Sequence, residues 1–326
     1  MLNTDNKYSS GFSVTLTSLS VMLLWGLLFP LVKIGYKVFE TDLSSVPDIL
    51  MFAGARFAVC GLLLTLLAVF RGQRLSFKVK SSLLPTALTG VFAVLLHYAF
   101  TYVGLSVTDS GKAAILKQTG VLFYICFSFL FIKSEKFSAQ KLIGALLGFC
   151  GIMAINGGGL KSGLTYGDVL ILMASVCTVA SNITVKSAMK QNSPLTVTGT
   201  SQLFGGALLI ICALIGGARF PKFTVTSTAV FAVICAASML GYTLWYSSCN
   251  KAELSGLFII KFAEPVFASI FGALLLKENI FRLSFLFSFL LISLGITVAD
   301  GRLGKLFLKN KKNNTSNRKL PPELQG

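Results

Sequence analysis

The sequence predicts an all-α integral membrane protein in which ten transmembrane helices form two inverted five-helix repeats. Three observations lead to this prediction: a low content of charged residues, ten apolar runs of membrane length, and an internal duplication. Of the 326 residues, 54% are hydrophobic and only 13% are charged. Charged residues make up about a quarter of a soluble protein. A lipid-facing surface needs no charge, so the composition indicates a polytopic membrane protein.

The apolar runs supply the transmembrane helices. A bilayer core about 30 Å thick requires roughly 20 apolar residues for one crossing. Runs of this kind occupy 14–36, 48–70, 83–106, 112–132, 140–156, 167–189, 196–217, 226–249, 255–276 and 282–300. The connections between them leave no room for a soluble domain. The first run has no small-residue cleavage site, so we expect it to be a retained helix and not a signal peptide.

The duplication becomes visible when the chain is shifted by 144 positions, which aligns 97–133 with 241–277 without gaps. Matched apolar residues mean little in an apolar sequence, so the polar matches carry the argument. These are Tyr98 with Tyr242, Tyr102 with Tyr246, Lys117 with Lys261, and Lys133 with Lys277. Each half holds five helices, and because five is odd the second half must enter the membrane in the opposite orientation. Inverted repeats of this kind recur in secondary transporters.

Domain limits and orientation follow from the repeat and from the positions of Lys and Arg. We expect an N-terminal cytoplasmic segment 1–13, a first repeat 14–156, a connector 157–166, a second repeat 167–301 and a basic disordered cytoplasmic tail 302–326. The basic loop "RGQRLSFKVK" and the tail place both termini in the cytoplasm, with the protein in the plasma membrane. The net charge of +17 is interpreted as this bias and as contact with lipid phosphates, not as nucleic-acid binding.

Several stretches carry a resemblance to a known family. They are "WGLLFPLVK" (25–33), "ARF" (55–57), "YVGLS" (102–106), "KSEKFSAQKLIGALLGFCGIMAING" (133–157) and "EPVFASIFGALLLKE" (264–278). In their order, spacing and duplication they resemble the EamA-type ten-helix proteins of the drug/metabolite transporter (DMT) superfamily. The resemblance implies a central cavity lined by both halves. It also implies cargo among amino acids, other small metabolites, nucleotide sugars or sugar phosphates.

Two lysines inside predicted spans are the first candidate substrate-binding residues. Lys117 and Lys261 are repeat mates, and a charged side chain at mid-bilayer costs about 2.5–3.5 kcal/mol on insertion scales. We therefore expect both to face a cavity or a partner. Two interpretations stay open. The lysines hold an anion or a substrate carboxylate, or Lys261 pairs with Glu264 while Lys117 extends to the membrane edge.

Glu264 is a candidate proton-coupling residue. It has no acidic repeat mate, since Gly120 occupies the matching position. It lies three residues from Lys261, on the same helix face. Pro265 follows it, removes one backbone hydrogen bond and predicts a kink. A cavity wall with a protonatable group beside a flexible backbone is one interpretation, and a structural Lys–Glu pair that stabilises the kink is the other.

Arg56 and Gln202 complete the polar candidates for substrate binding. They occupy related places in the second and seventh predicted spans, where cavity lining and support of helix packing are both open. His97 is the only histidine. Since a metal site needs several ligands and a catalytic histidine needs a nucleophile, we expect His97 to be packed or hydrogen-bonded.

Aromatic residues with a polar group form the last set. Trp25, Tyr98 and Tyr242 lie deep in predicted spans and are candidates for a substrate pocket. Tyr102 and Tyr246 lie nearer the span ends, and we expect them in the interfacial aromatic belt.

The predicted function is secondary transport by alternating access. The expected cargo is a small polar metabolite, an amino acid or a related carboxylate, moved outward, with proton coupling as a hypothesis. Uptake or exchange of an anionic metabolite is the alternative. The chain holds no metal-ligand pattern and no phosphate-binding loop, so we expect no enzyme, metal or cofactor. An integral-membrane enzyme would need clustered His, Asp and Glu. The expected partners are the small-molecule substrate and the lipid bilayer, with the chain a monomer or a homodimer.

Overall fold

A computed structural model of the protein describes residues 4–75, 80–105, 107–108, 110–131, 137–155, 165–277 and 283–300. The described residues are helical throughout their long segments. The helices are α1 (Thr4–Val38), α2 (Val46–Phe70), α3 (Lys80–Gly90), α4 (His97–Leu105), α5 (Ser110–Phe131), α6 (Ala139–Ile155), α7 (Tyr166–Ala188), α8 (Pro194–Ile215), α9 (Val225–Lys251), α10 (Leu254–Ile260), α11 (Ala263–Leu276) and α12 (Leu283–Asp300). The tail 302–326, predicted to be disordered, lies outside the described residues.

These helices form the ten predicted membrane crossings. Within the described ranges, seven helical segments are long and apolar enough to cross a membrane by length and composition. Three shorter apolar helices belong to α5, α6 and α12. A π-helical turn at Val91–Leu96 joins α3 to α4 within one crossing.

Polar side chains set the starts of several helices. Ser45 caps α2 by accepting a hydrogen bond from the Asp48 amide at 3.3 Å, and Ser193 caps α8 in the same way. Thr165 and Thr224 form capping boxes at α7 and α9. Since the first amides of a helix have no partner inside it, these caps fix where each crossing begins.

Two pairs of repeat-related helices run antiparallel against each other. Along α2 and α8, the close approaches are Gly54 to Ile210, Gly206 to Ala58, Gly61 to Leu203 and Gly199 to Thr65. Along α6 and α12, Gly144 meets Gly295 and Gly151 meets Ile292. In both pairs the residue number rises on one helix as it falls on the other. Small residues allow the backbones to come this close.

The contacts of the other helices in one half correspond to those of their repeat counterparts in the other half. Helix α1 packs against α9 and α11, and its repeat counterpart α7 packs against α4 and α5, the counterparts of α9 and α11. Together with the antiparallel pairs, this correspondence relates the halves by a two-fold axis. The predicted fold of two inverted five-helix repeats is therefore confirmed.

The crossing predicted at 255–276 is split in two. Helix α10 ends at Ile260, a turn occupies Lys261 and Phe262, and α11 begins at Ala263. Pro265 cannot donate a hydrogen bond to the Lys261 carbonyl, and that carbonyl instead accepts one from the Glu264 amide at 3.0 Å. The expected single kink at Pro265 is thus a break that begins at Lys261. In the first half α5 runs unbroken through Lys117.

Candidate functional site at the repeat axis

Tyr98 and Tyr242 mark the centre of the site. They are repeat mates, and their hydroxyl oxygens lie 3.4 Å apart. A residue contacts its own mate only close to the axis that relates the two halves, so this pair lies on the axis. Phe57 packs on both rings, with centroid distances of 4.8 Å to Tyr98 and 5.8 Å to Tyr242.

Two tryptophans extend this group of rings. Trp25 of α1 lies 5.2 Å from the ring of Tyr242 and 5.4 Å from that of Trp245. We refer to Trp25, Phe57, Tyr98, Tyr242 and Trp245 as the aromatic cluster. Its members come from four crossings and from both halves, as the resemblance implies for a shared central site.

Lys261 lies against the aromatic cluster. Its Nζ is 5.4 Å from the ring centroids of both Trp25 and Trp245, and 5.9 Å from that of Phe258. These are distances at which a cation is attracted to an aromatic face. Within the described chain Lys261 and Glu264 form no ion pair, although their charges attract each other. The interpretation of a closed Lys–Glu pair is therefore wrong for this structure.

Arg56 lies on the other side of the tyrosine pair. Its Cζ is 4.3 Å from the ring centroid of Phe57 and 5.4 Å from that of Tyr98. The side chain is only 4% exposed, and its Nε is enclosed without a hydrogen-bond partner. Nearby, the Tyr36 hydroxyl donates to that of Tyr102 at 3.3 Å. Arg56 thus lies at the centre and not at the membrane edge.

Lys117 and His97 border the site. Lys117 is partly buried and repels Lys261 electrostatically. His97 interacts electrostatically with both lysines. The Nδ1 of His97 lies 3.1 Å from the Ala174 carbonyl oxygen and 3.1 Å from the hydroxyl of Thr178. His97 is therefore hydrogen-bonded, as predicted. Among the described residues, no three metal-ligating side chains come together.

Gln202 makes no hydrogen bond to the aromatic cluster. Gln202 is fully buried where α8 crosses α2 beside Gly61, and neither amide atom has a hydrogen-bond partner. Among its two interpretations, this position favours packing support.

The interfacial position predicted for Tyr246 is wrong. Tyr246 is 3% exposed and packs 6.0 Å from the ring of Tyr242, and Tyr102 packs 5.7 Å from Tyr98. Tyr246 therefore belongs to the interior. Sequence position near a span end did not reveal this. Tyr102 is half-buried and contacts Tyr36 near the end of α1, and its interfacial position stays a prediction.

Tyr36 was not predicted to be at the site, and Asn182 was not either. Tyr36 follows Trp25 by eleven residues, about three helical turns, so it occupies the same face of α1; this spacing was an available signal. Asn182 accepts a hydrogen bond from the Trp245 indole nitrogen at 2.7 Å and so orients that ring. Nothing in the sequence around Asn182 indicates this role.

Polar contacts link the two halves at both ends of the protein. On the face that carries Lys251, the Nζ of Lys141 contacts the carboxylate of Glu253 and donates to the hydroxyl of Ser255 at 2.8 Å. On the opposite face, Asp48 accepts a hydrogen bond from the Arg219 amide at 2.8 Å. The aromatic cluster therefore lies between two ends at which the halves are linked.

Comparison with known proteins decides the family. The model of the EamA-like transporter family matches residues 13–157 and again 165–299, nearly the whole chain. The chain belongs to the EamA-like transporter family. It is therefore a multi-pass membrane protein, and since the family is one of transporters, the expectation that the chain is not an enzyme is confirmed.

Curated relatives agree with this assignment. The chain is similar to the uncharacterized inner membrane transporter YedA of Escherichia coli, with 28% identity over 85% of this chain and 89% of the relative. It is 30% identical to the uncharacterized transporter YetK of Bacillus subtilis, over 71% of this chain and 72% of the relative. A solved crystal structure shares the fold, with a TM-score of 0.68 and 17% identity over 88% of this chain and 98% of the other.

Proposed function

We propose that this EamA-like protein is a secondary transporter that moves small polar metabolites carrying a carboxylate by alternating access. The observation that carries the proposal is the meeting of Tyr98 and Tyr242 on the repeat axis, with Arg56 and Lys261 at the same centre. A site on the axis of two inverted halves is equally reachable from both sides once the halves exchange their conformations.

Charge at the site supports a carboxylate as the recognised group. Lys261 contacts aromatic rings and no described carboxylate, and Arg56 lies on Phe57 and Tyr98. Cationic groups in a membrane interior are expensive unless a partner neutralises them. A substrate carboxylate supplies that partner at the moment of binding. Lys117, Trp25, Tyr98 and Tyr242 are proposed to complete the binding site, and Gln202 to act through packing.

Glu264 is the proposed coupling group. It is partly buried beside the break between α10 and α11, and its charge interacts with that of Lys261. If the Glu264 carboxylate interacts with Lys261 when it is ionised and releases Lys261 when it is protonated, binding of a proton is coupled to the state of the cargo site. The proposed orientation has both termini in the cytoplasm of the plasma membrane, and the proposed direction is export.

The positive charge of the site favours a second candidate, exchange of an anionic metabolite. Exchange would not require net charge to cross the membrane, because one anion leaves as another enters. The two candidates differ in their need for cargo on the far side of the membrane.

A flux assay in proteoliposomes tests these proposals. Purified protein is given a panel of amino acids, carboxylates and sugar phosphates, with and without a pH gradient and with and without cargo inside. Flux of a carboxylate that needs no internal cargo supports export, and flux only with internal cargo supports exchange. Absence of flux for every carboxylate, with flux of a neutral or cationic compound, contradicts the proposed cargo class.

A further inference from the structure

We propose that Arg56, with the hydroxyls of the tyrosines around it, is a second oxyanion subsite, so that the preferred cargo is a dianion with a negative group at each end. This inference rests on the proposed function, whose carboxylate contact is Lys261, and names the substrate class more narrowly. One end of the cargo then lies at Lys261 and the other at Arg56.

The first argument is the isolation of the Arg56 guanidinium. The side chain is 4% exposed, its enclosed Nε has no hydrogen-bond partner, and in the part of the chain that the structure describes it forms no ion pair. Among the described residues, the aromatic faces close to the guanidinium are those of Phe57 and Tyr98. Arginine stays protonated in proteins, so it cannot escape the lack of a counter-charge by losing its proton. A bound anion relieves this condition.

The second argument is an excess of hydrogen-bond donors. Two hydroxyl pairs surround Arg56, Tyr36 with Tyr102 and Tyr98 with Tyr242. Each pair uses one O–H as donor and leaves the other O–H free. The guanidinium adds five N–H donors, and among the described residues no carboxylate joins the group. A ligand that satisfies this site must accept hydrogen bonds, and a planar carboxylate matches the guanidinium fork with two parallel bonds.

The third argument is the charge of the whole centre. Arg56, Lys117 and Lys261 contribute three positive charges, and among the described residues Glu264 is the carboxylate whose charge interacts with that of Lys261. Neutral balance therefore needs two negative charges from the cargo. The Tyr98–Tyr242 pair lies between the two cations, since Arg56 faces Tyr98 while Lys261 faces Trp25, which packs on Tyr242. Two separated cations fit two separated anionic groups better than one compact dianion.

Binding can be measured by fluorescence because the chain has two tryptophans and both lie against Lys261. Purified full-length protein is titrated with succinate and glutarate, with the matched monocarboxylates butyrate and pentanoate, and with glycerol phosphate as a dianion charged at one end. We expect the dicarboxylates to bind at least about tenfold more tightly than the monocarboxylates, the factor of one additional charge-assisted hydrogen bond.

Variants separate binding from a structural role. Arg56→Gln should weaken dicarboxylate binding by about ten- to a hundredfold and weaken monocarboxylate binding by a much smaller factor, so that the selectivity between them is lost. It should also raise the unfolding temperature of the empty protein, because an uncompensated buried charge is gone. Arg56→Lys, which keeps the charge without the fork, should be intermediate. Arg71→Gln is the matched control, since Arg71 follows the same helix and is exposed. It should change neither property.

Three results would overturn the proposal. The first is that dicarboxylates bind no more tightly than monocarboxylates, or that neither class binds. The second is that glycerol phosphate binds as tightly as the dicarboxylates. The third is that the Arg56→Gln protein is destabilised but keeps its preference for dicarboxylates. Flux in proteoliposomes keeps the two proposals apart. Transport of amino acids without preference for dicarboxylates would refute the Arg56 subsite and support the proposed transport function. Selective binding of dicarboxylates without flux of any compound would refute the proposed transport function and support the Arg56 subsite.

Discussion

Replacing Lys261 by glutamine should separate substrate binding from stability. Glutamine keeps most of the side-chain volume and removes the charge. A hydrogen bond to a charged group is worth about 1.5–3 kcal/mol, so losing this contact should raise the KM for a carboxylate cargo by about ten- to 150-fold. The maximal rate should change much less, since the ring stack of Trp25 and Trp245 is still present.

The effect on stability should be small by comparison, because two terms oppose each other. The lysine charge costs about 2.5–3.5 kcal/mol in the membrane interior. Its contacts with Trp25 and Trp245, at 5.4 Å each, contribute about 0.5–2 kcal/mol apiece. The net change in the free energy of unfolding should therefore lie between a loss of about 1.5 kcal/mol and a gain of about 2.5 kcal/mol.

Initial rates of flux in proteoliposomes, measured over a range of cargo concentrations, test this expectation. Thermal unfolding of the same preparations gives the stability. Lys190→Gln is the control, because Lys190 is an exposed lysine in the turn after α7. If both variants raise KM by the same small factor, Lys261 does not contact the cargo. If Lys261→Gln alone unfolds at a much lower temperature, its role is structural.

Three further predictions concern coupling, gating and packing. Glu264→Gln should fold and still exchange cargo but lose acceleration by a pH gradient; an undiminished response to the gradient would exclude Glu264 as the coupling group. In a variant whose only cysteine is Cys249, adding Lys141→Gln should speed the labelling of Cys249 by a charged maleimide, because the contact of Lys141 with Glu253 is lost. An unchanged labelling rate would mean that this contact does not restrict access to Cys249. Gly61→Ala should destabilise the protein by about 1–3 kcal/mol, because its new Cβ would lie 2.1 Å from a backbone nitrogen of α8. Gly256→Ala, where no atom lies within 4 Å of the new Cβ, should be neutral or stabilising by about 0.5–1 kcal/mol. Equal unfolding temperatures for the two variants would contradict the packing of α2 on α8.

The membrane class and the duplicated architecture were readable from the sequence. Composition and run length respond directly to the thickness of the bilayer, and the offset of 144 positions that matches Tyr98 with Tyr242 is a property of the chain itself. An odd number of helices in each half then requires inversion. These inferences need no knowledge of how any helix is rotated about its own axis.

Helix rotation is what the sequence could not supply, and it decided the composition of the site. In a soluble protein the polar face of a helix shows which side meets water. In a membrane the lipid-facing side and the buried side are both apolar. On α9, Leu240 is 58% exposed while Tyr246 is 3% exposed, and local hydropathy cannot distinguish these positions. The belt predicted for Tyr246 failed for this reason.

Tertiary packing also decided which charges have partners. The spacing of Lys261 and Glu264 allowed an ion pair within one helix, but the break at Lys261 and Phe262 places the lysine against two tryptophans from other helices. Arg56 lies on Tyr98 because α2 and α4 pack against each other in the folded chain. The sequence alone determined that these charges lie in the membrane. Only the folded chain determined what surrounds them, because the contacts join residues that are far apart along the sequence.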